Sequence, residues 1–306
     1  MGTRGAILIH AGAKSADQYF WEHQQEYRDA LEKAVRAGYE QLHKGRRAID
    51  AVEAAVRCME DDPLFNAGRG SALNSEGEVE MDASIMEGSE RRSGAVAVIR
   101  NIRNPVSLAR YVLEHTQHIV ITGKEALVLA EHAGLSIEKD AYFITTHQYN
   151  EYVKSKESDS SLKKLLLKGK HGTVGAVAVD KHGHIAAATS TGGLANSLPG
   201  RIGDSGIIGA GCYADNRTCA VAGTGDGEYL ARDVIAHSIS MMLELTGLPL
   251  QECCNHVVHV RNKGVKGDIG VISVNPSGDF GIAFNAEIMP RAGIDKDGKF
   301  FVAIQP

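Results

Sequence analysis

The sequence predicts an α+β fold of two antiparallel sheets packed face to face with helices outside, a four-layer αββα sandwich. Three observations carry that prediction. Strands arrive in hairpin pairs, as in "TVGAVAVD" and "HIAAATS" around Lys181-His182-Gly183, which favours antiparallel ladders over βαβ crossovers. Those strands are rich in glycine and alanine and do not alternate polar with apolar residues, so both of their faces must be covered. Amphipathic helical stretches occur in both halves of the chain and can supply the outer cover.

The elements follow in order. Residues 6–10 form a strand, and "DQYFWEHQQEYRDALEKAVRAGYEQLHKG" is one helix closed by Gly45. "RRAIDAVEAAVRCMEDD" is an alanine-rich helix that packs closely on a neighbour and stops before Pro63. Residues 94–100 form a strand. "NPVSLARYVLEH" opens with Asn104 at the N-cap and Pro105 at the first helical position. "HIVIT" is a strand and "KEALVLAEHAG" a helix closed by Gly134. From about residue 148 to 172 the composition turns to Lys, Ser, Glu and Asp, which predicts a flexible linker. Within it, "LKKLLLKGK" could form a short basic amphipathic turn. After the hairpin come "GIIGAGCYA" and "TCAVAGTG" as strands. Helices follow at "GEYLARDVIAHSISMMLEL" and "LQECCNHVVHVRNKG". "DIGVISV" and "FGIAFNA" pair about Pro276-Ser277-Gly278, and "KFFVAI" is the last strand.

The 306 residues are 43% hydrophobic and 23% charged, an ordinary composition for a packed domain. A net charge of −5 leaves no footprint for nucleic acid. No apolar run approaches the roughly 20 residues that span a bilayer, and the start carries no secretory signal. Five cysteines in a chain this long imply no disulfide framework, so a cytoplasmic location is expected.

Thr173 is where chemistry concentrates. Alone it is an ordinary strand-start threonine. It follows the linker directly, however, and Gly172 before it leaves that peptide bond accessible and conformationally free. Its hydroxyl can attack the preceding carbonyl, giving an ester that water opens. Thr173 then carries a free α-amine with an unperturbed pKa of about 7.7–8.0, a base joined to its own nucleophile. Hairpin pairing brings Thr191 close to Thr173. Arg201 and Asp204, spaced three apart among glycines, suit a zwitterion, the guanidinium taking a carboxylate and the aspartate an ammonium. The bland alternative for that pair is a surface ion pair. In "AGTGDGEYL", a strand-to-helix junction, the Thr224 hydroxyl and Gly225 N–H can form an oxyanion hole. The G-x-G-x-G spacing there is not the dinucleotide fingerprint G-x-G-x-x-G.

The ordered segments "GTVGAVAVD", "ATSTGG", "GRIGDS", "GAGCYADN" and "GTGDGE", with "EDDPLFNAGRGS", "LNSEGEVEMDASIM" and "FNAEIMPRAG", resemble the plant-type asparaginases, or isoaspartyl (β-aspartyl) peptidases. These are N-terminal-nucleophile hydrolases, and the similarity covers nearly the whole chain. The resemblance implies self-cleavage between Gly172 and Thr173. That would leave an α segment, 1–172, and a β segment, 173–306, within one structural domain, with such αβ units paired. It implies Thr173 as nucleophile, Thr191 as its hydrogen-bonding support, Arg201 and Asp204 as the grip on the aspartyl α-groups, and Thr224 and Gly225 as the oxyanion hole. Gly227 would line the pocket and Asn66 would lie near the nucleophile. The implied substrates are L-asparagine and β-aspartyl dipeptides. No cofactor for catalysis is implied. A structural sodium ion held by main-chain oxygens is, and the matching positions are Met59, Glu60, Asp62, Phe65, Ala67 and Arg69.

One departure concerns the first strand, which in the family ends in histidine and several glycines. Here it is His10-Ala11-Gly12-Ala13-Lys14, and alanine at position 11 is expected to slow self-cleavage by restricting φ. Glycosylasparaginase is a neighbouring alternative, although its nucleophile typically follows Asp where this chain has Gly172. An uncleaved, catalytically silent binding protein is the other. His256 and His259 form an i, i+3 pair without a third ligand nearby in sequence, and His171 falls on the linker side of the cut.

Overall fold

The computed structural model describes residues 5–157 and 172–305. Its strands are β1 (Ala6–Ala11), β2 (Met81–Glu87), β3 (Ser93–Ile99), β4 (Val120–Thr122), β5 (Val174–Val179), β6 (Ile185–Thr191), β7 (Cys212–Ala214), β8 (Ala220–Gly225), β9 (Ile269–Val274), β10 (Phe280–Phe284), β11 (Arg291–Ile294) and β12 (Phe300–Ala303). They form an eight-stranded sheet, ordered β12-β11-β1-β5-β6-β2-β3-β4, and a four-stranded sheet, ordered β10-β9-β8-β7. The fold is therefore α+β with two sheets flanked by helices. One pair departs from the antiparallel expectation. β3 and β4 run parallel, because the helix at Pro105–His115 carries the chain across between them.

Side-chain alternation shows what each sheet face meets. In β1, Ile7 and Ile9 join the core under the N-terminal helices, while Ala6 and Leu8 face the second sheet. In β8, Ala220 and Ala222 face the first sheet, while Val221 joins a third core with Leu230, Ile239 and Cys253. This is why the strands do not alternate polar and apolar residues: both faces are buried. Small residues at the shared face let the sheets approach closely. A Cβ added at Gly175 would lie 3.0 Å from the Cβ of Ala222.

The helices are α1 (Gln18–Glu22), α2 (Gln24–His43), α3 (Ala48–Glu60), α4 (Pro105–His115), α5 (Lys124–His132), α6 (Asp140–Phe143), α7 (Thr146–Glu157), α8 (Gly227–Asp233), α9 (Ile235–Thr246) and α10 (Leu250–Asn255). α2, α3 and α4 cover the eight-stranded sheet, and α9 and α10 the four-stranded one. Asn104 is the N-cap of α4, as expected, though its side chain makes no capping bond. It bonds to Asp61 instead, at 3.2 Å.

Several expectations are corrected. The first long helix is two, parted at His23. The helix expected from Gly227 breaks at Val234, whose φ of 48° and ψ of 53° are left-handed. The cause is tertiary. The N–H groups of Ala236 and His237 bond to the carbonyls of Ala210 and Gly209 at 3.0 and 2.8 Å, so α9 starts afresh on that loop. The same loop shortens the strand expected at "GIIGAGCYA" to Cys212–Ala214, because the N–H groups of Ile207 and Gly211 turn back to the Asp204 carbonyl. α10 continues into a π-helical stretch, His256–Arg261. β2 and β11 were not foreseen.

The flexible linker expected from about residue 148 is corrected for its first ten residues, and residues 158–171 lie outside the described residues. Residues 148–157 belong to α7, held by Lys156 Nζ on the Ser75 carbonyl at 2.5 Å and by Tyr152 beside Gly77. The "LKKLLLKGK" segment and His171 lie outside the described residues. No described helix is long and apolar enough to cross a membrane.

Candidate active site

Thr173 immediately precedes β5, and Thr191 ends β6. The ladder pairs Val174 with Ser190, which sets the two threonines side by side at one end of the hairpin. Both are buried, 5% and 4% exposed. Two side chains converge on the peptide carbonyl just before Thr173. The Thr191 hydroxyl donates to the Gly172 oxygen at 2.9 Å, and the Asn66 amide donates to it at 3.0 Å. Asn66 is itself fixed. Its Nδ2 also reaches the Gly193 carbonyl at 2.8 Å, its Oδ1 accepts from the Ala72 N–H at 2.8 Å, and its own carbonyl accepts from the Gly192 N–H at 3.0 Å. Neutral hydrogen bonds of this length to an amide oxygen favour charge building up on it.

Gly12 touches the same peptide from the other side. Its φ is +101°, and a Cβ there would sit 3.2 Å from Gly172 Cα and 3.6 Å from Thr173 N. Ala11, by contrast, is an ordinary strand residue paired with Val174. The conformational demand expected at position 11 is met at position 12. The position that needs positive φ and no side chain is Gly12, and this chain keeps its glycine.

Two neighbours of Thr173 were not assigned from sequence. Ser205 Oγ lies 3.5 Å from Thr173 Oγ1, a long contact. It follows Asp204 directly, which was the only hint. His10, at the end of β1, is fully buried, and its Nδ1 accepts a 3.4 Å bond from the Gly12 N–H. Burial drives its pKa down to about 3, with a smaller opposing pull from the Thr173 backbone, so the ring is neutral. Its Nε2 has no hydrogen-bond partner.

Thr224 comes from the facing sheet, near the end of β8. It is fully buried, and its Oγ1 accepts from the Ala13 N–H at 3.3 Å, which leaves its own proton to donate elsewhere. Gly225 has φ +128° and packs against the Asp268 carbonyl so closely that no Cβ would fit.

Arg201, Asp204 and Gly227 do come together. A Cβ at Gly227 would lie 2.8 Å from Asp204 Oδ1 and 2.9 Å from Arg201 Nη2. Asp204 is 3% exposed and Arg201's side chain 16%, which removes the surface ion-pair alternative. The two are not bonded to each other. Arg201 instead makes a two-point pair with Glu228, Nε to Oε1 and Nη2 to Oε2, both at 2.9 Å. Asp204 Oδ2 is buried without a partner. Burial raises its pKa to about 7, against the attraction of Arg201. Asp82 lies beneath, its pKa raised to about 6 by burial, and accepts from the N–H groups of Gly203 and Val98, both at 2.9 Å. It thereby ties the loop of Arg201 to β2.

A cavity of about 330 Å³ opens beside the Gly172 peptide, lined by Ala11, Lys14, Asn66, Asp226, Lys266 and Asp268 among others. Arg201 and Asp204 are not among its lining residues. His256 and His259 are exposed in the π-helical stretch. Among the described residues no group of three or more His, Cys, Asp or Glu side chains is placed to hold a metal.

Comparison with known proteins places the chain in a family. The family model described as Asparaginase matches residues 3–304. An isoaspartyl peptidase of Salmonella typhimurium is 40% identical over 297 residues, 95% of either chain. The isoaspartyl peptidase/L-asparaginase of Xenopus laevis is 40% identical over 97% of this chain and 94% of its own. One from Arabidopsis thaliana, described as a probable isoaspartyl peptidase/L-asparaginase, is 38% identical over 98% of each. Fold, site and relatives define an amide-hydrolysing enzyme. The chain belongs to the asparaginase family.

The Asp204 carboxyl generates a stability prediction. Its ordinary pKa is near 3.9, so the unfolded chain releases this proton about three pH units earlier than the folded one. Its contribution to stability is full below about pH 4 and is lost as pH rises to 7. Asp204→Asn is expected to raise Tm at pH 8 by roughly 2–4 °C, the effect of about 1 kcal/mol in a large domain. The gain should vanish near pH 4. Thermal melts at the two pH values check this, and a lower Tm at pH 8 contradicts it.

Proposed function

We propose that this chain is a self-cleaving threonine amidohydrolase acting on L-asparagine and β-aspartyl dipeptides. One observation carries the self-cleavage: the Gly172 carbonyl already accepts from Thr191 and Asn66 at 2.9 and 3.0 Å. Attack by Thr173 Oγ1 on that carbonyl carbon places negative charge on this oxygen, where both donors wait. The C–N bond to Thr173 breaks as its nitrogen gains a proton, leaving an ester on Oγ1. Water opens the ester, giving a Gly172 carboxylate and an unmasked Thr173 α-amine.

The two products, residues 1–172 and 173–306, stay together because β1 pairs with β5 on one side and β11 on the other. Parting them would tear the eight-stranded sheet. The two sheets and their helices we read as the four-layer αββα sandwich of N-terminal-nucleophile hydrolases. The free thiols, four of them buried, suit a reducing cytoplasm.

In the mature enzyme the Thr173 amine takes the hydroxyl proton as Oγ1 attacks the substrate β-carbonyl. The Thr224 hydroxyl and Gly225 N–H receive the oxyanion, and each such donor is worth about 2.7–4 kcal/mol in the transition state. Ammonia, or the amine of the second residue, leaves with a proton. Water then hydrolyses the β-aspartyl ester and releases aspartate. Arg201 takes the substrate α-carboxylate and ionised Asp204 the α-ammonium, which fills the unpartnered Oδ2 with a charged donor. The names of the relatives support both substrate classes.

For the loop that carries Asn66 we propose a hard monovalent cation. Among the expected ligands, the Phe65 carbonyl oxygen would lie 2.6 Å from a Cβ at Gly70, so the absence of a side chain there keeps that oxygen accessible. Such oxygens suit hard cations. Met59, Glu60, Asp62, Phe65, Ala67 and Arg69 would hold sodium through main-chain oxygens, and the ion would stiffen the loop without taking part in the reaction.

Thr173→Ala is expected to remain one chain and to lose activity, while the wild type splits and yields a new amino terminus at Thr173. Intact mass and amino-terminal sequencing check this. Two chains from Thr173→Ala sink the proposal, and an unbroken, inactive wild type that binds aspartate favours the silent binder. Gly12→Ala should slow splitting at least about tenfold, since a single displaced contact at a reacting centre can cost more than that. Ala11→Gly should leave it unchanged, and the reverse order would contradict the assignment. Replacing sodium with tetramethylammonium should lower Tm, because an ion that binds only the folded state stabilises it. A cation-independent Tm would rule the site out.

A further inference from the structure

We infer that Glu228 is a positioning residue that sets which edge of the Arg201 guanidinium meets substrate. The inference rests on the proposed role of Arg201 as the grip on the substrate α-carboxylate. A guanidinium can present more than one paired edge to carboxylates. Glu228 takes one of them, binding Nε and Nη2 at 2.9 Å each. The other, Nη1 with Nη2, faces space kept open by glycines. A Cβ at Gly203 would lie 3.1 Å from Nη1, one at Gly193 4.0 Å from Nη1, and one at Gly227 2.9 Å from Nη2. Gly227 also borders Asp204 Oδ1. The edge not taken by Glu228 therefore looks into the volume that Asp204 borders, where an amino acid's two α-groups would sit together.

The placement of the pair separates tethering from competition. Glu228's side chain is 60% exposed and Arg201's only 16%, so the carboxylate holds the guanidinium from the solvent side. Water screens the Glu228 charge, so its repulsion of a substrate carboxylate is weak. Its two-point geometry is not diluted in the same way, because an arginine without it has many side-chain conformers to lose on binding. Ordering the guanidinium before substrate arrives lowers the cost of binding. A helper of this kind acts on recognition of the α-carboxylate and not on the bond that breaks.

The experiment uses the full-length, matured enzyme and two amides: L-asparagine, and 3-aminopropanamide, which lacks the α-carboxylate. Glu228→Ala should raise KM for asparagine roughly tenfold, the worth of one net hydrogen bond. Its kcat for asparagine should stay within about twofold, the pattern of lost uniform binding. The preference for asparagine over 3-aminopropanamide, as a ratio of kcat/KM values, should fall by the same roughly tenfold factor. Glu228→Asp, which keeps the carboxylate, should recover part of that preference. An unchanged preference, a lower KM for asparagine, or an equal loss on both amides would overturn the inference. Arg201→Ala separates the two levels. If it keeps the preference for asparagine, the assignment of Arg201 fails. If it loses the preference and Glu228→Ala does not, only the role of Glu228 fails.

Discussion

The carbonyl of Gly172 accepts hydrogen bonds from two side chains that belong to distant parts of the chain, and the rest of the site is arranged around that oxygen. Thr191 reaches it across a hairpin, and Asn66 reaches it from the loop after α3. Gly12 closes the remaining side without a side chain. A main-chain carbonyl gripped by two donors, beside a buried hydroxyl, is an amide under polarisation. It needs a fold in which a strand start, a strand end and a loop meet at one point, which the β5–β6 hairpin within the helix-covered sheet supplies.

A second theme is the burial of charge. Asp204, Asp82 and Arg201 lie close together with little solvent, and both carboxyls have raised pKa values because desolvation outweighs Arg201's attraction. Such an arrangement costs stability while it waits for a ligand. A zwitterionic amino acid would offset part of that cost by giving Asp204 an ammonium partner. The exposed Glu228 outside and the glycines inside then define a direction: the guanidinium is held from the solvent side and open toward the buried side.

Much of this was legible in the sequence because it is local. Thr173 and Thr191 meet through a hairpin whose turn, Lys181 to Gly183, can be seen in the chain, and the register that pairs Val174 with Ser190 follows from it. The Gly/Ala strands announced two covered faces. What could not be seen depends on partners far away in sequence. Arg201 and Glu228 stand 27 residues apart, and nothing local says that they pair. The break at Val234 is imposed by carbonyls at Gly209 and Ala210. Residues 148–157 have a linker's composition but dock on Ser75 and Gly77. Ala11 drew attention because the resemblance places glycines after the strand histidine, whereas in the fold Ala11 extends β1 and the positive φ falls on Gly12.

The most direct test of the central claim follows fresh protein over time. Samples are quenched after synthesis, and each is measured for intact mass under denaturing conditions and for ammonia release from asparagine. The account predicts that activity appears with the same rate constant as the break between Gly172 and Thr173. Full activity in a chain that is still unbroken would contradict it.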